Sequence, residues 1–188
     1  MPGDQDSALV AQCLEGDLRA FGSLVDKYQK VVYNAALRMG AGRENAEDIT
    51  QTVFLKVYEG LARYNPRYKF FSWLYRIAVN ETLNATNRNR RFEPIEPDLV
   101  ADEHAPEKVV QDNELRGIVQ DCLMGLSVQQ RAAIVLSHFH GLSYAEIGYI
   151  LDIPEKTVKS RLFTARSVLR ELLLRNYLEK EDDRRKRN

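Results

Sequence analysis

Lys156 is followed by Lys159 and Ser160, three and four residues on, and then by Arg166, seven residues after Lys159. On a helix those intervals bring all four side chains to one side, and their types reach phosphate oxygens and base edges. The chemistry they offer is noncovalent reading of duplex DNA. A second group lies between Arg63 and Arg76, where Tyr64, Tyr68, Phe70, Phe71, Trp73 and Tyr75 are interleaved with Arg63, Arg67, Lys69 and Arg76. These six are over a third of the chain's aromatic residues. Phe70, Trp73 and the neighbouring Leu74 have core spacing; the others fall in the loop from Arg63 to Lys69 or on the far side of the following helix. Exposed rings among bases stack unpaired bases and hold a separated strand. Further along, Arg76, Asn80, Asn84, Asn87, Arg88, Arg90 and Arg91 add amides and guanidiniums suited to bases and phosphates.

The first group needs a rigid mount, and the sequence from Leu142 to Arg166 supplies one. Ser143 and Glu146 form a capping box that starts a helix at Ser143. Ile147, Ile150 and Leu151 give it an apolar side, and Gly148 is small enough for a close helix crossing. Asp152 stands where the turn requires a left-handed residue, which Asp tolerates. Pro154 suits the opening of the second helix. There Val158, Leu162, Ala165 and Leu169 hold a helical apolar spacing, so the basic residues face solvent. This is a helix-turn-helix.

The second group needs helices around it. Phe21, Leu24, Val25, Tyr28, Val31, Val32 and Ala35 mark one amphipathic helix, entered from Asp17 and left at Gly40. Ala46, Ile49, Val53, Phe54, Val57, Tyr58 and Leu61 mark another, and Phe70, Trp73, Leu74, Ile77 and Ala78 open a third. Farther on come an apolar helix through Leu115, Ile118, Val119, Cys122 and Leu123, and a helix begun by the capping box of Ser127 and Gln130. No strand pattern appears, so the expected fold is all-α: two small helical domains joined by an acidic linker, the C-terminal one carrying the helix-turn-helix. The boundaries expected are 1–92 for the first domain, 93–112 for the linker, 113–178 for the second domain, and 179–188 for a frayed, solvated tail.

Zero net charge over 188 residues looks wrong for a nucleic-acid binder until the charge is resolved along the chain. From Arg63 to Arg91 there are seven bases against Glu81 alone, and from Lys156 to Arg175 six against Glu171. Residues 93–114 between them carry eight acids against Lys108 and include three prolines, as expected for a linker. With 44% hydrophobic and 29% charged residues the composition is that of a globular protein. No apolar run approaches a membrane span and no signal-peptide pattern opens the chain, so a cytoplasmic location is expected. Cys13 and Cys122 fall in apolar helical patterns and are expected to be buried thiols.

The order of these motifs resembles the extracytoplasmic-function sigma factors of bacterial RNA polymerase, over about Leu9 to Leu173. AEDITQTVFLKVY (46–58) is similar to the family's polymerase-binding helix, and FFSWLYRIAVN (70–80) to its promoter-melting segment. QQRAAIVLSHFHGLSYAEIGYILDIPEKTVKSRLFTAR (129–166) is similar to its upstream-promoter reader. The resemblance implies that Asp48, Gln51 and Leu55 contact the clamp helices of the largest polymerase subunit, and that a further contact is made with the flap region of the second-largest. It places Asn80, with the loop that includes Tyr64, Asn65, Arg67, Tyr68 and Lys69, around a flipped base of the minus-ten element. Trp73, Tyr75, Arg76, Asn84 and Arg88 belong to the same melting surface. Glu155, Lys156, Thr157, Lys159, Ser160, Arg161 and Arg166 fall at the minus-thirty-five element. The acidic linker would pass through polymerase channels as a phosphate mimic. An anti-sigma partner is expected, and through it a hold at the inner membrane; no cofactor is implied. Asn84 stands where many members carry an acid, and Asp152 and Lys156 replace glycines common around the turn, which bears on the bases read.

Two other readings compete. A conventional helix-turn-helix regulator would leave the aromatic and basic segment and the acidic linker without a role. An enzyme would need a reactive constellation. His138 and His140, two residues apart on a helix, point about 200° apart and do not share a metal ion without distortion; one is expected packed and the other exposed. His104 lies in the linker, and neither a phosphate-binding glycine loop nor a nucleophile elbow occurs.

Overall fold

The computed structural model describes the backbone of residues 2–89 and 107–187, and the side chains of residues 5–87 and 115–178. Among the described residues all regular structure is helical. The N-terminal half packs α1 (Pro2–Leu14), α2 (Leu18–Arg38), α3 (Arg43–Gly60) and α4 (Phe70–Asn89) around one core. Asp17 caps α2 by accepting from the Arg19 amide, as its position before the apolar pattern indicated. Leu24 and Val32 from α2, Val53 and Val57 from α3, and Phe70 and Leu74 from α4 are buried together. Asp6 of α1 is buried as well and is held there by Lys27 and by the Tyr28 hydroxyl, which donates to it. Burial and that carboxylate push the Tyr28 phenol well above its ordinary pKa. Tyr58, expected in the apolar stripe, is 51% exposed, and its ring meets that of Phe21 edge-on.

The C-terminal half contains α5 (Glu107–Met124), α6 (Val128–Ile134), a π-helical turn (Val135–Phe139), α7 (Tyr144–Leu151) and α8 (Glu155–Arg187). Both capping boxes are formed, Ser127 with Gln130 and Ser143 with Glu146. Two elements run longer than the sequence pattern suggested. α5 starts at Glu107, inside the segment read as linker. α8 continues to Arg187 through the tail expected to fray. Leu115 of α5 is 58% exposed and not part of the core. Residues 90–106, with Arg90, Arg91, His104 and most of the acidic stretch, lie outside the described residues.

The two halves share a core: Met39, Tyr75 and Val79 are buried in one cluster with Leu126, Leu136, Ile147 and Leu162. Arg131 bolts this junction. Its buried guanidinium donates to the carbonyls of Leu123, Met124 and Leu126 in its own half and to the Met39 carbonyl, at 2.9 Å, in the other. Gly40 makes room for it, since a Cβ there would fall 2.3 Å from Arg131 Nη1 and its φ is +98°. Gln120 adds a bond to the Leu37 carbonyl.

Candidate nucleic-acid interface

In α8, Val158, Leu162 and Ala165 are fully buried, which fixes the helix rotation. Glu155, Lys156, Thr157, Lys159, Ser160 and Arg166 are exposed, and Arg161 is half-buried. The turn before it follows the sequence reading. Asp152 is left-handed at φ 56°, ψ 46°, and a Cβ on Gly148 would come within 2.8 Å of the Ile153 carbonyl oxygen. Pro154 precedes the helix, and its carbonyl accepts from Thr157 and Val158. Arg166 is braced by His138 Nε2 at 3.2 Å and by the Ser137 hydroxyl. One residue of this surface went unread. Phe163 is 77% exposed among the bases. Its signal was available: it is an apolar residue off the buried stripe, three residues from Ser160 and from Arg166.

The aromatic and basic segment divides into three. Phe70 and Tyr75 are buried; Tyr75, expected on the melting surface, faces Val79 and the junction because positions 71, 75 and 79 share one side of α4. Its hydroxyl donates to the Val31 carbonyl. Trp73, Arg63, Asn80, Ile77 and Gly60 line a recess of about 350 Å³, with Lys56 and Glu81 paired across it at 2.6 Å. Tyr64 packs on Trp73 at 5.3 Å and donates to the Tyr68 carbonyl. The loop itself is a turn in which the Asn65 side chain accepts from the Arg67 amide, so Asn65 acts first as a turn builder. Asn84, one turn beyond Asn80 on α4, is also exposed, whereas the Arg88 side chain lies outside the described residues.

The third part faces α7. Tyr68 stacks on Tyr149 with centroids 4.0 Å apart and planes at 15°. Lys69 pairs with Glu146 at 2.8 Å, which with the capping bonds holds the Glu146 carboxyl below its usual range against the opposing effect of burial. Arg76 donates to the Tyr149 carbonyl and to Asp152.

On α3, Ala46, Ile49, Val53 and Val57 are buried, while Asp48, Gln51 and Leu55 are exposed, Leu55 by 60%. His138 and His140 diverge as their spacing required: His138 is exposed, and His140 turns in to Tyr75. Cys122 is buried and Cys13 only half-buried; desolvation raises both thiols above their ordinary pKa.

A basic reading helix locates a duplex site but does nothing to open it, and a ring-lined recess captures an unpaired base but does not locate a site. A chain that both located and opened a site would need the two together, as a factor of transcription initiation does. Residues 24–92 match Sigma-70 region 2, and residues 116–169 match Sigma-70, region 4. The chain belongs to the extracytoplasmic-function sigma factors of RNA polymerase. It is 34% identical to the RNA polymerase sigma-H factor of Pseudomonas aeruginosa over 88% of this chain and 92% of that one. With the ECF sigma-E factor of Escherichia coli K12 it shares 35% identity over 87% and 92%, and with SigW of Bacillus subtilis 34% over 87% and 94%. Among solved structures, CnrH in complex with the cytosolic domain of CnrY matches with TM-score 0.69 and 28% identity, covering 90% of this chain and 97% of that one. The sigma factor RpoE of Bartonella quintana, in complex with the anti-sigma factor NepR, shares the fold with TM-score 0.67 and 24% identity, covering 83% and 98%. The protein is thus a non-enzymatic initiation factor that joins core RNA polymerase and directs it to promoters. No described helix is long and apolar enough to cross a membrane.

Proposed function

We propose that the 1–92 domain holds core polymerase through Asp48, Gln51 and Leu55 and captures a flipped minus-ten base in the recess beside Asn80. The 113–178 domain reads the minus-thirty-five element through α8. The observation that carries this is the recess: an exposed amide at its rim, an indole in its wall and a guanidinium beside it form a stacking and hydrogen-bonding pocket for one base. On α8, Lys156, Lys159 and Arg166 supply phosphate and guanine contacts, and Phe163 supplies an apolar contact of the kind made with a thymine methyl group. Binding of the polymerase complex to promoters should weaken steeply with salt.

The protein works in the bacterial cytoplasm and is restrained by an anti-sigma partner. The solved complexes of CnrH and of RpoE with partner proteins support that reading. Run-off transcription with purified core polymerase on a library of promoter fragments tests the whole assignment. Specific starts that require the protein and fall with Asn80→Ala and Lys159→Ala are expected. Starts unaffected by both substitutions would remove the residue assignments.

A further inference from the structure

α7 and the turn that ends it present three side chains at intervals of three residues, Glu146, Tyr149 and Asp152, to the surface formed by Lys69, Tyr68 and Arg76. Two carboxylates meet two cations, and between them a tyrosine ring lies flat on another ring at 4.0 Å. A single nucleic-acid strand offers the same series, an anionic group, a flat ring and a second anionic group, and it satisfies lysine, tyrosine and arginine by the same contacts. Glu146 to Asp152 covers about 9 Å of helix rise, long enough to occupy three neighbouring groups. We propose that α7 is an internal substitute for the separated promoter strand, so that the free protein fills its own strand-binding surface and yields it only when strand and polymerase replace α7. The inference rests on the assignment of Tyr68, Lys69 and Arg76 to strand binding.

The remaining surfaces fit this order of events. Leu55 with Asp48 and Gln51 on α3, and Lys156 with Lys159 on α8, stay exposed while the strand surface is covered. Polymerase can therefore dock before the covered surface is freed. Glu146 keeps α7 capped through Ser143 with one carboxylate oxygen while the other holds Lys69, so the cap does not depend on the contact with Lys69.

The test uses the full chain and a short fluorescein-labelled single-stranded DNA oligonucleotide, read by anisotropy. Y149S/D152N, which keeps a residue tolerant of the left-handed turn, should bind several-fold more tightly than the parent; if the open form is a tenth of the population, the gain is about tenfold. Adding K69A/R76A to that variant should abolish the gain. Independently of any substitution, saturating oligonucleotide should speed amide hydrogen exchange in α7 of the parent chain. Equal affinity of the two chains with α7 exchange unchanged would overturn the proposal, as would absence of binding by both. Promoter opening on core polymerase separates the two levels. If K69A/R76A opens promoters normally, the strand-binding assignment falls and this inference with it. If K69A/R76A blocks opening while Y149S/D152N leaves oligonucleotide affinity unchanged, the internal substitute alone is wrong.

Discussion

The hydroxyl of Tyr75 lies 2.9 Å from Nε2 of His140, and these residues come from opposite halves of the molecule. Because the hydroxyl donates to the Val31 carbonyl, a neutral imidazole with its hydrogen on Nε2 completes the arrangement by donating to the phenol oxygen. Burial, and then the nearby Arg38, lower the His140 pKa from 6.5 to about 4. The unfolded or opened chain therefore binds a proton that the closed chain refuses. The contribution of His140 is complete above its ordinary pKa of 6.5 and is lost as pH falls from there toward about 4. The urea midpoint should accordingly decline between pH 7 and 5, and His140→Gln should flatten that decline. Glu146, whose carboxyl is held low, adds its own loss only below the ordinary carboxylate range. An unchanged pH slope in His140→Gln would refute the assignment.

The Arg131 guanidinium donates to four carbonyl oxygens, those of Met39, Leu123, Met124 and Leu126. Arg131→Met keeps most of the side-chain volume but leaves the acceptors of Leu123, Met39 and Leu126 without their donor. Removing one partner from a buried charged network costs about 3 kcal/mol. Equilibrium urea denaturation should show a loss of that order. A loss under about 1 kcal/mol would mean that water satisfies the carbonyls in its place.

Much of the helix-turn-helix could be read from residues because its signals are local. The Ser143 cap, the small Gly148, the left-handed Asp152 and the Val158, Leu162, Ala165 stripe each depend on neighbours within one or two turns. The buried stripe of α3, with Ala46, Ile49, Val53 and Val57, was legible for the same reason. Tyr75 was misplaced because its ring belongs to a junction between halves, and no periodicity within α4 reveals that α7 will cover that side. Arg131 was passed over because its acceptors come from positions as far apart in sequence as Met39 and Leu126. Phe163 was legible by the same local signal, since it is an apolar residue that falls off the buried stripe of its own helix.

Leu55→Ala separates folding from partner binding. The side chain is 60% exposed on a helix whose opposite side is buried, so its loss should change stability by no more than about 0.5 kcal/mol. An apolar anchor at the centre of an interface is worth about 2 kcal/mol or more. Affinity for purified core polymerase should fall by about tenfold or more, measured by anisotropy of the labelled protein. Unchanged affinity would move the polymerase contact off this face of α3.

Asn80→Ala and Lys159→Ala should fail at different steps, because the proposed assignment gives the two residues different states of DNA to act on. Lys159 sits on the exposed stripe of α8, which is proposed to meet duplex, so its loss should weaken formation of the initial closed complex. Asn80 lies at the recess shared with Trp73, where a base arrives only after leaving the helical stack. Its loss should leave initial docking close to normal and lower the fraction of complexes whose start-site thymines react with permanganate. On a template already mismatched across the minus-ten element, the cost of unpairing is prepaid, and the opening defect of Asn80→Ala should shrink while that of Lys159→Ala persists. If both variants were rescued equally by the mismatch, the division of labour between α4 and α8 would be wrong.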